Sequence, residues 1–158
     1  MKIQIDGAAR GNPGPAGAGI VLSDTRGKRV KELAVYLGEA TNNVAESCAL
    51  VLALQEALRL NGLRVSVFTD SQLLARQVTG EYRVKDKQLQ WLHALIRNLT
   101  EAFDQFEIQH VPREENRAAD RLANRAVDEG LRNLAGSRRG RKAALPSTDA
   151  RQATLFGN

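Results

Sequence analysis

From residue 43 onward the chain switches repeatedly between helical and extended apolar patterns, and this restricts its fold more than any other feature. Residues 43–60 are nearly all Ala, Leu, Val, Glu and Gln, a strong helix composition that Asn61 and Gly62 close as a C-terminal cap. Residues 64–69 are β-branched or aromatic and read as a strand ending at Asp70; residues 71–78 look helical until Thr79 and Gly80 interrupt them. A second long helix is predicted over residues 86–102, where Leu89, Leu92, Ile96, Leu99 and Phe103 recur at helical spacing as a core stripe. Residues 106–111 alternate as a fifth strand, Pro112 stops it, and Asn116 is placed to cap a helix running to about Val127.

Ahead of these lie three strand patterns. Residues 2–6 alternate and predict a first strand ending at Asp6, followed by a loop over residues 7–15 that is rich in Gly and Pro. Residues 18–22 and 30–37 flank the turn-forming cluster 23–27 and predict an antiparallel pair. Right-handed crossovers then make strands one, four and five parallel. The expectation is an α/β fold with a five-stranded mixed sheet flanked by helices.

At 158 residues the chain suits one domain, expected over residues 1–135. After Leu134 the apolar period vanishes, and residues 136–158 read as a basic, disordered tail. The one cysteine, Cys48, excludes a disulfide and a CxxC zinc site and fits a reducing, cytoplasmic setting. No apolar run suits a membrane span, and the N-terminus enters a strand pattern without a signal peptide, so secretion and membrane association are not expected. The net charge of +5 suggests a polyanionic partner. Its distribution is uneven. Arg138, Arg139, Arg141, Lys142 and Arg151 stand against Asp149 alone in the tail, which leaves about +1 on the body.

Four carboxylates stand at strand ends or helix starts: Asp6, Glu46, Asp70 and Asp120. Such junctions are where α/β folds keep ligands. A nearly neutral body holding an acidic cluster would repel phosphates without intervening cations, so the four together read as a metal-dependent nuclease site. Each also has a structural reading. Asn43 and Glu46 have capping-box spacing, Asp120 suits the dipole of an early helical turn, Ser71 can cap a helix, and Gly7, Pro13 and Pro15 can serve only to shape a turn. Asp6 and Asp70 have no such capping duty.

The blocks Asp6-Gly7 with Gly11-Asn12-Pro13-Gly14-Pro15, Thr41-Asn42-Asn43-Val44-Ala45-Glu46, Thr69-Asp70-Ser71-Gln72 and Asn116-Arg117-Ala118-Ala119-Asp120 occur in the order of type 1 ribonuclease H, which residues 1 to about 130 resemble. The resemblance implies the ribonuclease H-like fold, and makes the four acids catalytic ligands of two Mg²⁺ ions, with Mn²⁺ as a substitute and Asp6 as the bridging ligand. Two such ions roughly 3.5–4 Å apart can activate water and neutralise the attacking and leaving oxygens. The implied activity is hydrolysis of the RNA strand of RNA/DNA hybrids, leaving 5′-phosphate and 3′-hydroxyl ends. By the same resemblance Gly11, Asn12, Asn43 and Gln72 line the hybrid's minor groove and meet RNA 2′-hydroxyls, while Thr41, Asn42 and part of the Asn12 loop hold the deoxy strand, with Ser71 beside them.

The chain departs from many relatives in two places. Arg113, seven residues before Asp120, occupies the loop where they carry histidine; it resembles a subgroup with arginine there and implies a part in phosphate handling or product departure. His110 belongs to the fifth strand at a core or edge position, and His93 is expected on a helix surface. Where some bacterial relatives insert a basic handle, this chain has only residues 80–87, so the basic tail is expected to compensate electrostatically. Gln152, Leu155 and Phe156 resemble the Q-x-x-L-F peptides that dock on the bacterial sliding clamp. A monomer is expected. The competing readings are a catalytically silent nucleic-acid-binding or clamp-tethered adaptor, and a DNA-acting nuclease of the same fold that pairs Asp70 with Glu107.

Overall fold

Period-two alternation in the first strand buries Ile3 and Ile5 completely, and the sheet is built outward from them. The computed structural model describes residues 1–143, with side chains to residue 136. The elements are β1 (Lys2–Ala9), β2 (Gly14–Ser23), β3 (Arg29–Ala40), α1 (Asn42–Arg59), β4 (Arg64–Thr69), α2 (Gln72–Val78), α3 (Lys87–Thr100), β5 (Gln105–His110) and α4 (Arg117–Ala143). Strand order is β3-β2-β1-β4-β5. β1 pairs antiparallel with β2 and parallel with β4, and β4 pairs parallel with β5, so the expected mixed sheet is observed.

Alternate residues of β2 serve opposite faces of the sheet. Ala18, Ile20 and Leu22 join Ile3, Ile5, Leu50, Leu54, Val65, Val67 and Ile96 in a core roofed by α1 and α3. Each fully buried Ile or Leu there contributes roughly 1.5–3 kcal/mol. Gly17 and Gly19 face the other way, against α4. Among the described residues no helix is long and apolar enough to cross a membrane.

Four local expectations are corrected. β1 continues past Asp6 to Ala9 and β2 begins at Gly14, so Asp6 sits within a strand and most of the predicted loop is hairpin. Gly7 is there to admit α1: a Cβ would lie 2.2 Å from the Glu46 backbone nitrogen. Thr41 caps α1, accepting from the Val44 backbone N–H at 3.3 Å, so the Asn43–Glu46 capping box does not form. At the far end Asn61, with φ 55°, takes the left-handed turn expected of the Asn61-Gly62 cap. His93 is buried rather than on a surface, because α3 turns it towards a cavity of about 710 Å³ behind β5, and its Nε2 has no partner there. α4 runs beyond Val127 to Ala143, so residues 136–143, expected in the tail, continue the helix. The peptide containing Gln152, Leu155 and Phe156 lies outside the described residues.

Candidate active site

Backbone geometry brings the four acids to one place. The β1–β4 register of Lys2 with Ser66, Ile3 with Val67 and Gln4 with Phe68, continued along both strands, sets Asp6 level with Asp70. Across β1 the partner of Asp6 is Gly19, and α4 lies directly on that glycine. Asp120 is thereby carried to the Asp6 carboxylate. On the opposite side Gly7 lets the first turn of α1 close down, which brings Glu46 in. Asp6, Glu46, Asp70 and Asp120 line one pocket of about 310 Å³, together with Gly7, Ala8, Ala9, Asn42, Arg113 and Asn124.

Asp6 is 8% exposed. Its pKa is pushed up to about 8, first by burial and then by the negative charges of Asp70, Asp120 and Glu46, against a lowering hydrogen bond from the Gly7 backbone. Burial also raises Glu46, partly offset by its hydrogen bonds: Ser71 Oγ donates to one carboxylate oxygen at 2.5 Å and Asn42 Nδ2 to the other at 2.9 Å. Arg113 Nη2 donates to Asp120 Oδ1 at 2.7 Å, and the guanidinium's pKa rises in consequence. Among the described residues no three acidic, imidazole or thiol groups converge closely enough to hold a metal ion as they stand. An open set of carboxylate oxygens suits a hard divalent cation that keeps several waters. The residues fit such an ion on two counts: all donors are oxygens, and the charge that raises Asp6 is the charge a cation would offset.

Of the expected substrate-contact residues, Asn42 lines the pocket and Asn42 and Ser71 bond Glu46, while Gly11, Asn12, Thr41, Asn43 and Gln72 do not line it. Gly11 and Asn12 are exposed in the β1–β2 turn, where Asn12 Oδ1 accepts from the Asn42 backbone N–H at 3.2 Å. Thr41 caps α1, and Asn42 and Asn43 are exposed in its first turn. Ser71 caps α2, its Oγ also accepting from Leu74 N at 3.2 Å, and Gln72 is the exposed first residue of that helix. The starts of α1 and α2 thus meet at Glu46, and the β1–β2 turn joins them through Asn42.

Asn116 was expected only as a helix cap. Its side chain is instead fully buried, with Nδ2 donating to the Ile5 carbonyl and to Asp70 Oδ1, both at 2.8 Å. It ties β1, the end of β4 and the start of α4 together beside the acids. Four residues before Asp120, a capping asparagine and a buried clamp look alike in sequence. Asn124, also unforeseen, lines the pocket and donates to the Asp120 carbonyl at 2.9 Å. Glu107, the second acid of the DNA-acting alternative, is exposed on β5 beside Gln105 and does not line the pocket; β5 is the far edge of the sheet. His110 is exposed on that same edge strand.

With this geometry fixed, comparison with known proteins decides the family. Residues 4–126 match the reverse transcriptase-like family. A ribonuclease HI of Halobacterium salinarum is 44% identical over 125 residues, which cover 79% of this chain. The crystal structure of that archaeon's RNase H1 superposes with a TM-score of 0.79 at 42% identity, covering 81% of this chain and 97% of that one. The chain belongs to the type 1 ribonuclease H family. LC11-RNase H1, isolated from compost by a metagenomic approach and solved in complex with an RNA/DNA hybrid, superposes with a TM-score of 0.78 at 42% identity, covering 82% of this chain and 98% of that one. Not every relative in this ribonuclease H family is of similar length: the chain spans 63% of the full Halobacterium protein and 37% of a bifunctional Mycobacterium tuberculosis protein that is 38% identical over 136 residues.

Proposed function

We propose that the protein is an endoribonuclease that hydrolyses the RNA strand of RNA/DNA hybrids, giving 5′-phosphate and 3′-hydroxyl ends. The observation that carries this reading is the single pocket in which Asp6 is buried among Glu46, Asp70 and Asp120. Mg²⁺ is the physiological ion, with Mn²⁺ able to replace it. Two ions held by these carboxylates would supply a nucleophilic water at neutral pH and offset charge on the attacking and leaving oxygens.

The chain's own groups do the rest. Ser71 and Asn42 fix both Glu46 oxygens, so the carboxylate cannot rotate away from the pocket. Asn116 orients Asp70. Arg113 is exposed at the pocket's rim, held to Asp120, and meets the departing phosphate there. Gly11, Asn12, Asn43 and Gln72 touch the minor groove and its 2′-hydroxyls, which is what separates RNA from DNA; Thr41 and Asn42 hold the deoxy strand. Arg138, Arg139, Arg141 and Lys142 add sequence-independent attraction for phosphates. Gln152, Leu155 and Phe156 dock on a sliding clamp, and the enzyme works as a cytoplasmic monomer.

Labelled hybrid, duplex DNA and duplex RNA digested side by side, with Mg²⁺, Mn²⁺ or chelator, test the central statement. Cleavage of the hybrid's RNA strand alone, dependent on metal and lost in Asp70→Asn with the fold retained by circular dichroism, is expected. No cleavage at all would leave an adaptor, and cleavage of duplex DNA would make it a DNA nuclease. Calorimetry of the full chain with a clamp should show binding that Leu155→Ala and Phe156→Ala abolish; equal heats in parent and variants remove the clamp reading. Glutamine at the four basic tail positions should flatten the salt dependence of hybrid binding, and an unchanged slope removes that role.

A further inference from the structure

A second hollow of about 380 Å³ lies beside the carboxylates, lined by Arg113, Glu114, Arg117, Asp120 and Arg121. Arg113 and Asp120 also line the catalytic pocket, so the two spaces share a wall. Arg117 and Arg121 are exposed and stand four residues apart, on one face of the first turns of α4. Among the described residues neither has an ion-pair partner, whereas Arg125, next in the same row, faces Glu129 at 3.6 Å. Asp120 is already engaged by Arg113. Three guanidinium groups therefore surround the opening against the one remaining carboxylate, Glu114.

Like charges at this spacing repel unless an anion sits between them. The planar fork of a guanidinium matches the paired oxygens of a phosphodiester and grips it bidentately. We propose that this hollow is a subsite for a backbone phosphate of the cleaved strand, next to the phosphate held at the carboxylates, with Arg117 and Arg121 as its ligands. The wall shared with the catalytic pocket assigns it to the cleaved strand, because a strand seated on Asp120 lies next to Arg113. The inference rests on the hybrid-cleavage reading for its substrate.

The test compares Arg117→Gln and Arg121→Gln with Arg26→Gln, and their double variant with Arg26→Gln/Lys28→Gln, controls of equal charge loss at the exposed β2–β3 turn. On hybrid, the double variant should raise KM about tenfold with kcat altered less than twofold, and reduce the slope of log KM against log salt by about 1–2. A single methylphosphonate walked along the cleaved strand should weaken the parent at one position fixed relative to the cut, and the double variant should be indifferent to it. KM and salt slope equal to those of the control with the same charge loss, or a walk with no such position, overturns the subsite. Hybrid affinity of Asp70→Asn, with and without the arginine changes, separates the two failures. Binding weakened by those changes in a protein that never cleaves hybrid supports the subsite and sinks the activity. Cleavage with unchanged binding does the reverse.

Discussion

Asn116 carries no charge, yet its amide holds the Ile5 carbonyl and the Asp70 carboxylate at once, from a position with no solvent access. Asn116→Ala leaves both groups without that donor and should cost about 1–3 kcal/mol in denaturant unfolding. Turnover should fall with little change in KM, since the variant loosens Asp70, a proposed metal ligand, rather than a proposed substrate contact; a raised KM at full kcat would contradict this. Asp6 shows the opposite economy. Its folded pKa of about 8 lies above the ordinary 3.8 of an aspartate, so the folded state keeps a proton that the unfolded state loses. The stability associated with Asp6 is fully present below about pH 4 and is lost as pH rises towards and through 8. Asp6→Asn should therefore stabilise the metal-free protein by about 0.5–2 kcal/mol above pH 8 and leave it unchanged at pH 4, at the expense of activity. Thermal melts across that range would show it, and parallel curves for the two proteins would refute it.

At the scale of elements, two close backbone approaches aim the acids. An added Cβ on Gly19 would stand 2.1 Å from the Ala119 carbonyl and 2.4 Å from the Ala123 nitrogen, and one on Gly7 would strike the start of α1. Gly19→Ala should lift α4 from the sheet, costing about 1–3 kcal/mol and displacing Asp120. Gly136→Ala, exposed on the same helix with nothing near its missing Cβ, should instead stabilise by roughly 0.5–1 kcal/mol. Urea midpoints moving in opposite directions would establish the contrast. The elements were legible from periodicity because α1, α3, β4 and β5 carry strong local patterns. The extension of β1 and β2 through Gly7, Ala8, Ala9 and Gly14 was not, because small residues that usually signal turns are used here to admit helices against a strand. His93 escaped for a related reason: helical spacing marks a face, but the packing of α3 against α1 decides how wide the buried part of that face is.

For the whole molecule, the acidic ring and the charge around it make metal and stability one question. A divalent ion bound only by the folded state, at a hundred times its Kd, adds about 2.7 kcal/mol. Mg²⁺ should therefore raise the melting temperature by several degrees, chelator should reverse the rise, and Asp70→Asn should shrink it; a melt indifferent to metal would count against the site. Beside the acids, Arg117 and Arg121 are exposed at the start of α4. The sequence by itself determined the element types, the mixed sheet and the identity of the four acids, because each is written in local periodicity or in a short block of adjacent residues. Only the tertiary structure decided that Asn116 is a clamp rather than a cap, that Gly7 and Gly19 are points of contact, and that Arg117 and Arg121 open onto the catalytic wall. Those facts depend on which backbones touch across the sheet, and residues 111 positions apart, as Ile5 and Asn116 are, leave no mark of their meeting in local sequence.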